Sequence, residues 1–404
     1  MKRFSAPLLL LALPLFTLSA QTISLYGTAK ANITVDVYNK NSYLYENGSG
    51  DYYLDNYLLF NTQAVLPQGS PVFAVLNTDL LVREIISAES DRPGQDISLT
   101  LNEAYLNIPL ADFLFFTIGK RRVVWGTGIS YNPSDFINPP KDPLHPGEER
   151  RGVYGAMLEL FTEWFSLTQV AVFYDKLDYL GYGTKLSTSA LIPATDFNLV
   201  FYYEANSGCN LGASLDTTPF GELPVLQNLA LHAEAGLRQK SERPVYDDGT
   251  GALVQRPQRD EFYKNLLAGL RYTIPGWETL IALEYYYIDD GYLPSELKEI
   301  IGQGLVADIA YDPGLMGRHT MMCTVNQPQL TQRANPFTDT LGISGTLLLN
   351  LLDGSCLISA NMESTILSGC VFSLEGGCFS GNGHTEYGLS PLEFYISFAA
   401  VIGF

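Results

Sequence analysis

The sequence predicts an all-β chain whose strands close into a transmembrane antiparallel up-and-down barrel of about 18 strands, with 16 the next choice. Three observations predict it: an export signal at the N-terminus, a long run of strict apolar–polar alternation soon after it, and a repeated exchange of short turns for long polar loops. No later apolar run is long enough for a spanning helix. A chain of this kind crosses a membrane only by closing its strands into a barrel.

The signal comes first. Lys2 and Arg3 precede an apolar run over residues 6–18, and the small residues Ser19 and Ala20 close it. This is the layout of a secretory leader cut after Ala20. The run is short for an anchor and holds Pro7 and Pro14, and no cysteine near the cut marks a lipoprotein. Residues 21–404 then form the barrel as one domain. Only 17% of the chain is charged, whereas 12% is aromatic, with 25 Tyr and 21 Phe. Without Lys2 and Arg3 the balance is 22 basic against 43 acidic residues, or −21. That balance argues against nucleic acid as a partner, because phosphate binding needs a basic surface.

The alternation is clearest after residue 24. Leu25, Gly27, Ala29, Ala31, Ile33, Val35 and Val37 share one face, and Tyr26, Thr28, Lys30, Asn32, Thr34, Asp36 and Tyr38 the other. One face therefore meets an apolar medium and the other a polar one, over a length well beyond the usual soluble strand of about 5–6 residues. Other inner faces follow by parity: His232, Glu234, Gly236 and Arg238 together, Arg271 with Asn265 and Gly269, Lys185 with Gly181 and Gly183, Glu204 opposite Phe201 and Tyr203, and Glu284 opposite Leu283 and Tyr285. Barrel periodicity sends these charges into the lumen, to line a hydrated path or to pair within a plugged interior.

Long loops are expected at residues 39–54, 85–96, 126–149, 241–260 and 289–317, and tight turns at 67–71, 110–112, 162–163 and 275–276. Barrels alternate short periplasmic turns with longer extracellular loops in this way. Within 289–317, residues 295–309 have helical spacing behind Ser295, a cap-like residue. The final stretch places Leu392, Phe394, Ile396, Phe398, Ala400, Ile402 and Phe404 on one face. A terminal phenylalanine on an apolar strand resembles the signal by which the barrel-assembly machinery takes up outer-membrane barrels.

Residues 119–140 combine a strand end crowded with cations and a proline-set loop. Lys120, Arg121 and Arg122 are consecutive, so at least one points into the lumen. Strict parity from Thr117 selects Arg121; a bulge near the rim selects Lys120 and Arg122. Asn132-Pro133 and Asn138-Pro139 restrict the loop that follows, so that it either folds inward as an eyelet or caps the barrel end. The pore-lining or constriction candidates are Arg121, Lys120, Arg122, Glu103, Trp125, Asp135, Arg151, Arg238, Glu234 and Arg271. Cations there favour anionic solutes, unless Glu103 neutralises them.

The segment 103–151 resembles a group of porin-like outer-membrane barrels that includes the alginate-export type. The resemblance rests on Glu103-Ala104-Tyr105-Leu106, Gly119-Lys120-Arg121-Arg122, Trp125-Gly126, residues 132–139 (NPSDFINP) and Arg151-Gly152, with residues 351–355 (LLDGS) near the end. Arg121 replaces the usual glutamine. The resemblance implies passive or selective passage of a small-molecule solute through the bacterial outer membrane, whose lipid would surround the barrel.

Other chemistry is sparse. His145, His232, His319 and His384 show no metal-ligand spacing, and no G-x-S-x-G elbow or P-loop occurs, so neither an enzyme nor a cofactor is expected. His232 with nearby serines is the one possible start of a barrel-phospholipase arrangement. Five cysteines permit disulfides in an oxidising envelope, with Cys370 and Cys378 the best-placed pair. Two function classes compete: a solute channel, and a surface-binding protein whose barrel displays loops rich in Tyr, Asp, Asn and Gly.

Overall fold

Period-2 alternation with no break for a core helix leaves the strands one way to satisfy their backbone groups in an apolar medium, which is to pair in a ring. The structure, a computed structural model, describes residues 24–45, 52–65, 72–87, 94–141, 151–173, 180–205, 207–241, 243–256, 262–330, 340–367 and 369–403. The leader 1–20, the expected turn at 67–71, His145 and Phe404 lie outside the described residues.

The first strands are β1 (Ser24–Tyr38), β2 (Tyr52–Val65), β3 (Phe73–Ser87), β4 (Gly94–Ala111), β5 (Leu114–Arg121) and β6 (Val153–Phe161). The wall continues through β7 (Ser166–Phe173), β8 (Leu180–Thr188), β9 (Thr195–Glu204), β10 (Gly208–Thr217) and β11 (Leu229–Arg238). A separate two-stranded hairpin, β12 (Pro244–Asp247) and β13 (Ala252–Gln255), interrupts it. Then come β14 (Tyr263–Thr273), β15 (Leu280–Ile288), β16 (His319–Gln327), β17 (Leu341–Asn350), β18 (Cys356–Leu367), β19 (Cys370–Ser380) and β20 (Leu392–Gly403). Each wall strand pairs antiparallel with its neighbour, and β1 pairs with β20 from Thr28↔Gly403 to Val37↔Phe394, closing an 18-stranded sheet.

The two faces separate by chemistry. Outward side chains such as Ile33, Ile97, Leu99, Ile358, Ile396 and Phe398 are exposed, whereas inward Asn32, Asn77, Glu234, Asn265 and Glu284 are buried. An apolar band outside and polar groups inside is the pattern of a barrel in lipid. The longest connections, 122–152, 239–262 and 289–318, all lie at the end away from the chain termini, the extracellular end by the barrel rule.

Some boundaries differ from the sequence expectation. β2 starts at Tyr52, β3 runs to Ser87 and β4 begins at Gly94, so the loops expected at 39–54 and 85–96 are shorter. Polar Asp96 resembles loop in sequence but pairs opposite inward Arg83, where a strand accepts it. The helix α1 (Pro294–Gly302) is capped at Leu293, not Ser295, because Pro294 takes the first helical position and Glu296 Oε2 accepts a 2.8 Å hydrogen bond from Leu293 N. All five cysteines are free. Cys370 and Cys378 lie on the same strand, and eight residue steps along it separate them by about 26 Å, far beyond disulfide reach.

Two irregularities shape the wall beside the long β5–β6 connection. The β3–β4 register shifts at Asn77/Thr78, so Asn102 is an extra residue and both Asn102 and Glu103 turn to the lumen. At Gly119 the backbone adopts φ +128°, and a Cβ would stand 2.2 Å from Ala104 O. Only glycine fits there. Gly119→Val is expected to break the β4–β5 pairing at its outer end, lowering the resistance of the detergent-folded barrel to heat in a gel-mobility assay; unchanged resistance would contradict this account.

Candidate functional site

The connection after β5 turns into the barrel. Trp125 is 2% exposed and packs with Val123, Ile137, Met157, Val170, Val172, Val200 and Tyr202. Its ring lies over Gly183, where a Cβ would meet Trp125 at 2.5 Å. Farther along, Gly212 faces Ser134 and Gly236 faces Pro133 O, with a Cβ at 2.6 and 2.1 Å respectively. The inner wall of β8, β10 and β11 is thus bare of side chains where the loop lies against it.

Two wall carboxylates grip the loop. Glu234 Oε2 accepts hydrogen bonds from Thr127 N (2.9 Å) and Gly128 N (3.2 Å), and its Oε1 accepts from Ser134 N (2.8 Å) and Ser134 Oγ (2.6 Å). Glu284 accepts from Ile129 N (2.6 Å), Ser130 N (2.8 Å) and Ser130 Oγ (2.5 Å). Four consecutive N–H groups are therefore held by two buried carboxylates. A buried carboxylate is tolerated only when donors replace its water, and these are supplied. His232 Nε2 lies 2.6 Å from Glu284 Oε1. Ser130 and His232 thus both bond to the one carboxylate instead of forming a serine–histidine relay.

The Asn-Pro pairs shape the loop from within. Asn132 Nδ2 donates to Trp125 O (2.9 Å), and Asn138 Nδ2 donates to Val123 O and to Asp135. Asp135 is 4% exposed and accepts from the N–H groups of Ile137 and Asn138. Tyr131 reaches β14, where its OH accepts from Asn265 Nδ2 at 3.0 Å. Ile129 packs against Met322, Leu348, Leu357 and Tyr387. The loop so crosses the lumen from β8 toward β18.

A second connection, residues 381–391, meets it there. Glu386 is fully buried and accepts from Gly314 N and Met316 N (2.9 Å each), Gly317 N (3.2 Å) and Asn350 Nδ2 (2.7 Å). Burial pushes its carboxyl above the ordinary range, against the pull of these donors. Above lies a canopy in which α1 packs with Tyr246, Leu253, Tyr292, Met316 and Leu389.

The consecutive cations separate by parity. Arg121 points inward, donates to Glu159 Oε2 at 2.7 Å and lies over the Tyr105 ring. Lys120 sits on the outer face over the Tyr154 ring and donates to Leu101 O, so it does not line the pore. Arg122 turns back to Glu103, with Nε 3.6 Å from its carboxylate. Arg151 is exposed at the rim. Arg271 pairs with Asp216, and the Arg238 guanidinium lies over the Phe136 ring. Glu234, Trp125, Asp135 and Arg238 therefore gather around the loop, while Arg121, Arg122 and Glu103 stand on the wall from which it leaves. Sequence reasoning placed His232 and Glu284 in the lumen but not in the candidate set, because no local motif tells which inward carboxylate a distant loop will meet. Glu386 carried no signal: it lies in a connection without periodicity.

No family model matches the chain, and no curated protein matches it. Solved structures do. The chain is similar to Pseudomonas aeruginosa OccK5 (OpdH), with TM-score 0.56, 10% identity, and 94% of this chain and 97% of that one covered. It is also similar to Acinetobacter baumannii OccAB3 (TM-score 0.55, 9% identity, 95% and 99% covered) and to the outer membrane protein OprD from Pseudomonas aeruginosa (TM-score 0.54, 9% identity, 95% and 93% covered). The fold is theirs. The chain is a closed 18-stranded antiparallel β-barrel with the fold of these outer-membrane proteins. The alginate-export resemblance of residues 103–151 has no matching family model behind it.

Glu234→Ala strips the acceptor from the buried N–H groups of Thr127, Gly128 and Ser134, at a cost on the order of 1–3 kcal/mol for each donor left bare. Limited proteolysis is expected to cut within residues 126–141 in this variant and to spare the parent; equal protection in both would remove Glu234 from the anchor. The canopy has its own pH response. Burial raises the Glu296 carboxyl, but hydrogen bonds from Arg256 and Leu293 outweigh it and hold the group below its ordinary value of 4.5. A depressed carboxyl contributes stability that is complete above the unfolded value and is lost as pH falls through the folded one. Hydrogen exchange over residues 293–302 should therefore accelerate as pH drops below 4.5 in the parent, relative to Glu296→Gln.

Proposed function

We propose that the chain is exported by residues 1–20, resides in the bacterial outer membrane and passes small hydrophilic solutes through a lumen narrowed by residues 122–141. One observation carries this reading: the loop is built into the lumen by Glu234 and Glu284, across one side of an otherwise polar interior. A loop that merely capped the barrel would not need two buried carboxylates from the wall. Arg121, Arg122, Glu103 and Arg271 line the passage, and Trp125, Asp135, Glu234 and Arg238 hold the narrowing loop. Lys120 and Arg151 belong to the rim. The resemblance to alginate-export-type porins supports a solute pore without naming the solute.

The anion preference that a run of free cations implies has no support in the geometry. Arg121 is paired with Glu159, Arg122 with Glu103 and Arg271 with Asp216, and a paired cation attracts an anion weakly. The folded canopy of α1 and the β12–β13 hairpin favours a second reading, a barrel that displays a binding surface and conducts nothing.

Planar-bilayer recording separates the two. The purified protein is expected to open stable channels, and replacing residues 127–138 by a short glycine linker is expected to raise the unit conductance at least severalfold. Silence from both proteins would refute the channel and leave the display reading.

A further inference from the structure

Ile129 and Tyr387 pack on an apolar row of the wall formed by Met322, Leu348 and Leu357, on β16, β17 and β18. Toward the periplasmic end each of these strands turns polar on the same face. Thr324 stands opposite Thr346, Asn326 opposite Ser344, and Ser344 opposite Asn361. Glu363 follows Asn361 on that face and stands opposite Ser373 of β19. Strand parity aims all of them at the lumen, just below the seated loop.

The row nearest the loop is spent within the wall: Thr324 Oγ1 donates to Gly345 O at 3.1 Å and lies 3.1 Å from Thr346 Oγ1. The next rows are not. Ser344 and Ser373 are half-buried and Asn326 is exposed. Their side chains make no hydrogen bond with the described residues. Asn361 Nδ2 donates to Glu363 Oε1 at 2.9 Å, which leaves Glu363 Oε2 without a protein partner among the described residues. The strands β16–β20 contain no lysine or arginine, so a carboxylate or phosphate finds no charge-assisted donor on this wall. Glu375 is engaged by Tyr395 OH at 2.7 Å and takes no part in the patch.

We propose that Asn326, Ser344, Asn361, Glu363 and Ser373 form a subsite for uncharged polyhydroxylated solutes, the chemical class of the sugars. A solute hydroxyl both donates and accepts, and the patch offers both functions on adjacent strands: serine hydroxyls and the Asn326 amide do either, and the Glu363 carboxylate accepts. Each such bond replaces one to water and is worth little by itself, so only a solute with several hydroxyls on one side is retained. Retention of that kind is weak enough to release the solute, as passage requires. A site built to bond hydroxyls also discriminates against solutes of equal size that lack them. The inference rests on the channel reading above and adds the class of solute.

The test is interruption of KCl current through single channels in a planar bilayer, with maltotriose, a polyethylene glycol of matched mass and free arginine as probes. Maltotriose is expected to block the parent severalfold more strongly than either of the others. The triple variant Asn326→Ala, Ser344→Ala, Ser373→Ala keeps every charge. Confirmed as folded by heat-shifted gel migration, it is expected to conduct KCl as the parent does and to bind maltotriose about tenfold more weakly. Glu363→Ala, a single change at an exposed position, supplies an independent arm and is expected to weaken the block severalfold. Open channels on which maltotriose acts no better than the polyethylene glycol, or less than arginine, overturn the inference while the channel stands. A block that the triple variant and Glu363→Ala both keep overturns the assignment to this wall. Absence of any current removes the channel reading itself, and this inference with it.

Discussion

Everything distinctive about the interior depends on two buried wall carboxylates that take most of their hydrogen bonds from one loop. Glu234 and Glu284 stand on strands well separated along the chain, yet they bind four successive N–H groups of one loop. A loop taken out of water must find acceptors for its backbone, and a carboxylate taken out of water must find donors. Each solves the other's problem. The arrangement is reciprocal, so the loop has one seating and the wall one complement to it.

Packing makes that seating specific. Trp125 fills the space that Gly183 leaves, and Pro133 and Ser134 approach the wall where Gly236 and Gly212 lack side chains. Removing a buried Trp side chain typically costs about 3–5 kcal/mol. Hydrogen bonds thus orient the loop and the aromatic anchor fixes its depth. The 381–391 connection extends the same logic, with Glu386 gathering three N–H groups and Asn350 in a fully buried site.

The charges of β5 and β6 obey a simpler rule. Strand parity divides Lys120 from Arg121, sending one to the membrane rim and the other to the lumen. Carboxylates on adjacent strands then neutralise the inward arginines, as Glu159 does for Arg121.

The barrel was legible in the sequence because its signal is local. Alternation from residue 25 onward gave the two faces, the order of turns and loops gave the hairpins, and the strand count of about 18 followed. Inward Glu234, Glu284, His232 and Arg271 were readable from parity alone. What each of them meets was not. Glu234 is 100 residues from Ser134 and Glu284 is 154 from Ser130, so their partnership depends on barrel closure. For the same reason Cys370 and Cys378, close in sequence, are held apart by an unbroken strand, and three successive cations have three different fates. The sequence by itself determined which face each strand residue occupies, because that follows from a two-residue period. Only the tertiary structure decided which side of the lumen the loop fills and which wall it leaves open, because that depends on contacts between residues brought together by closing the ring.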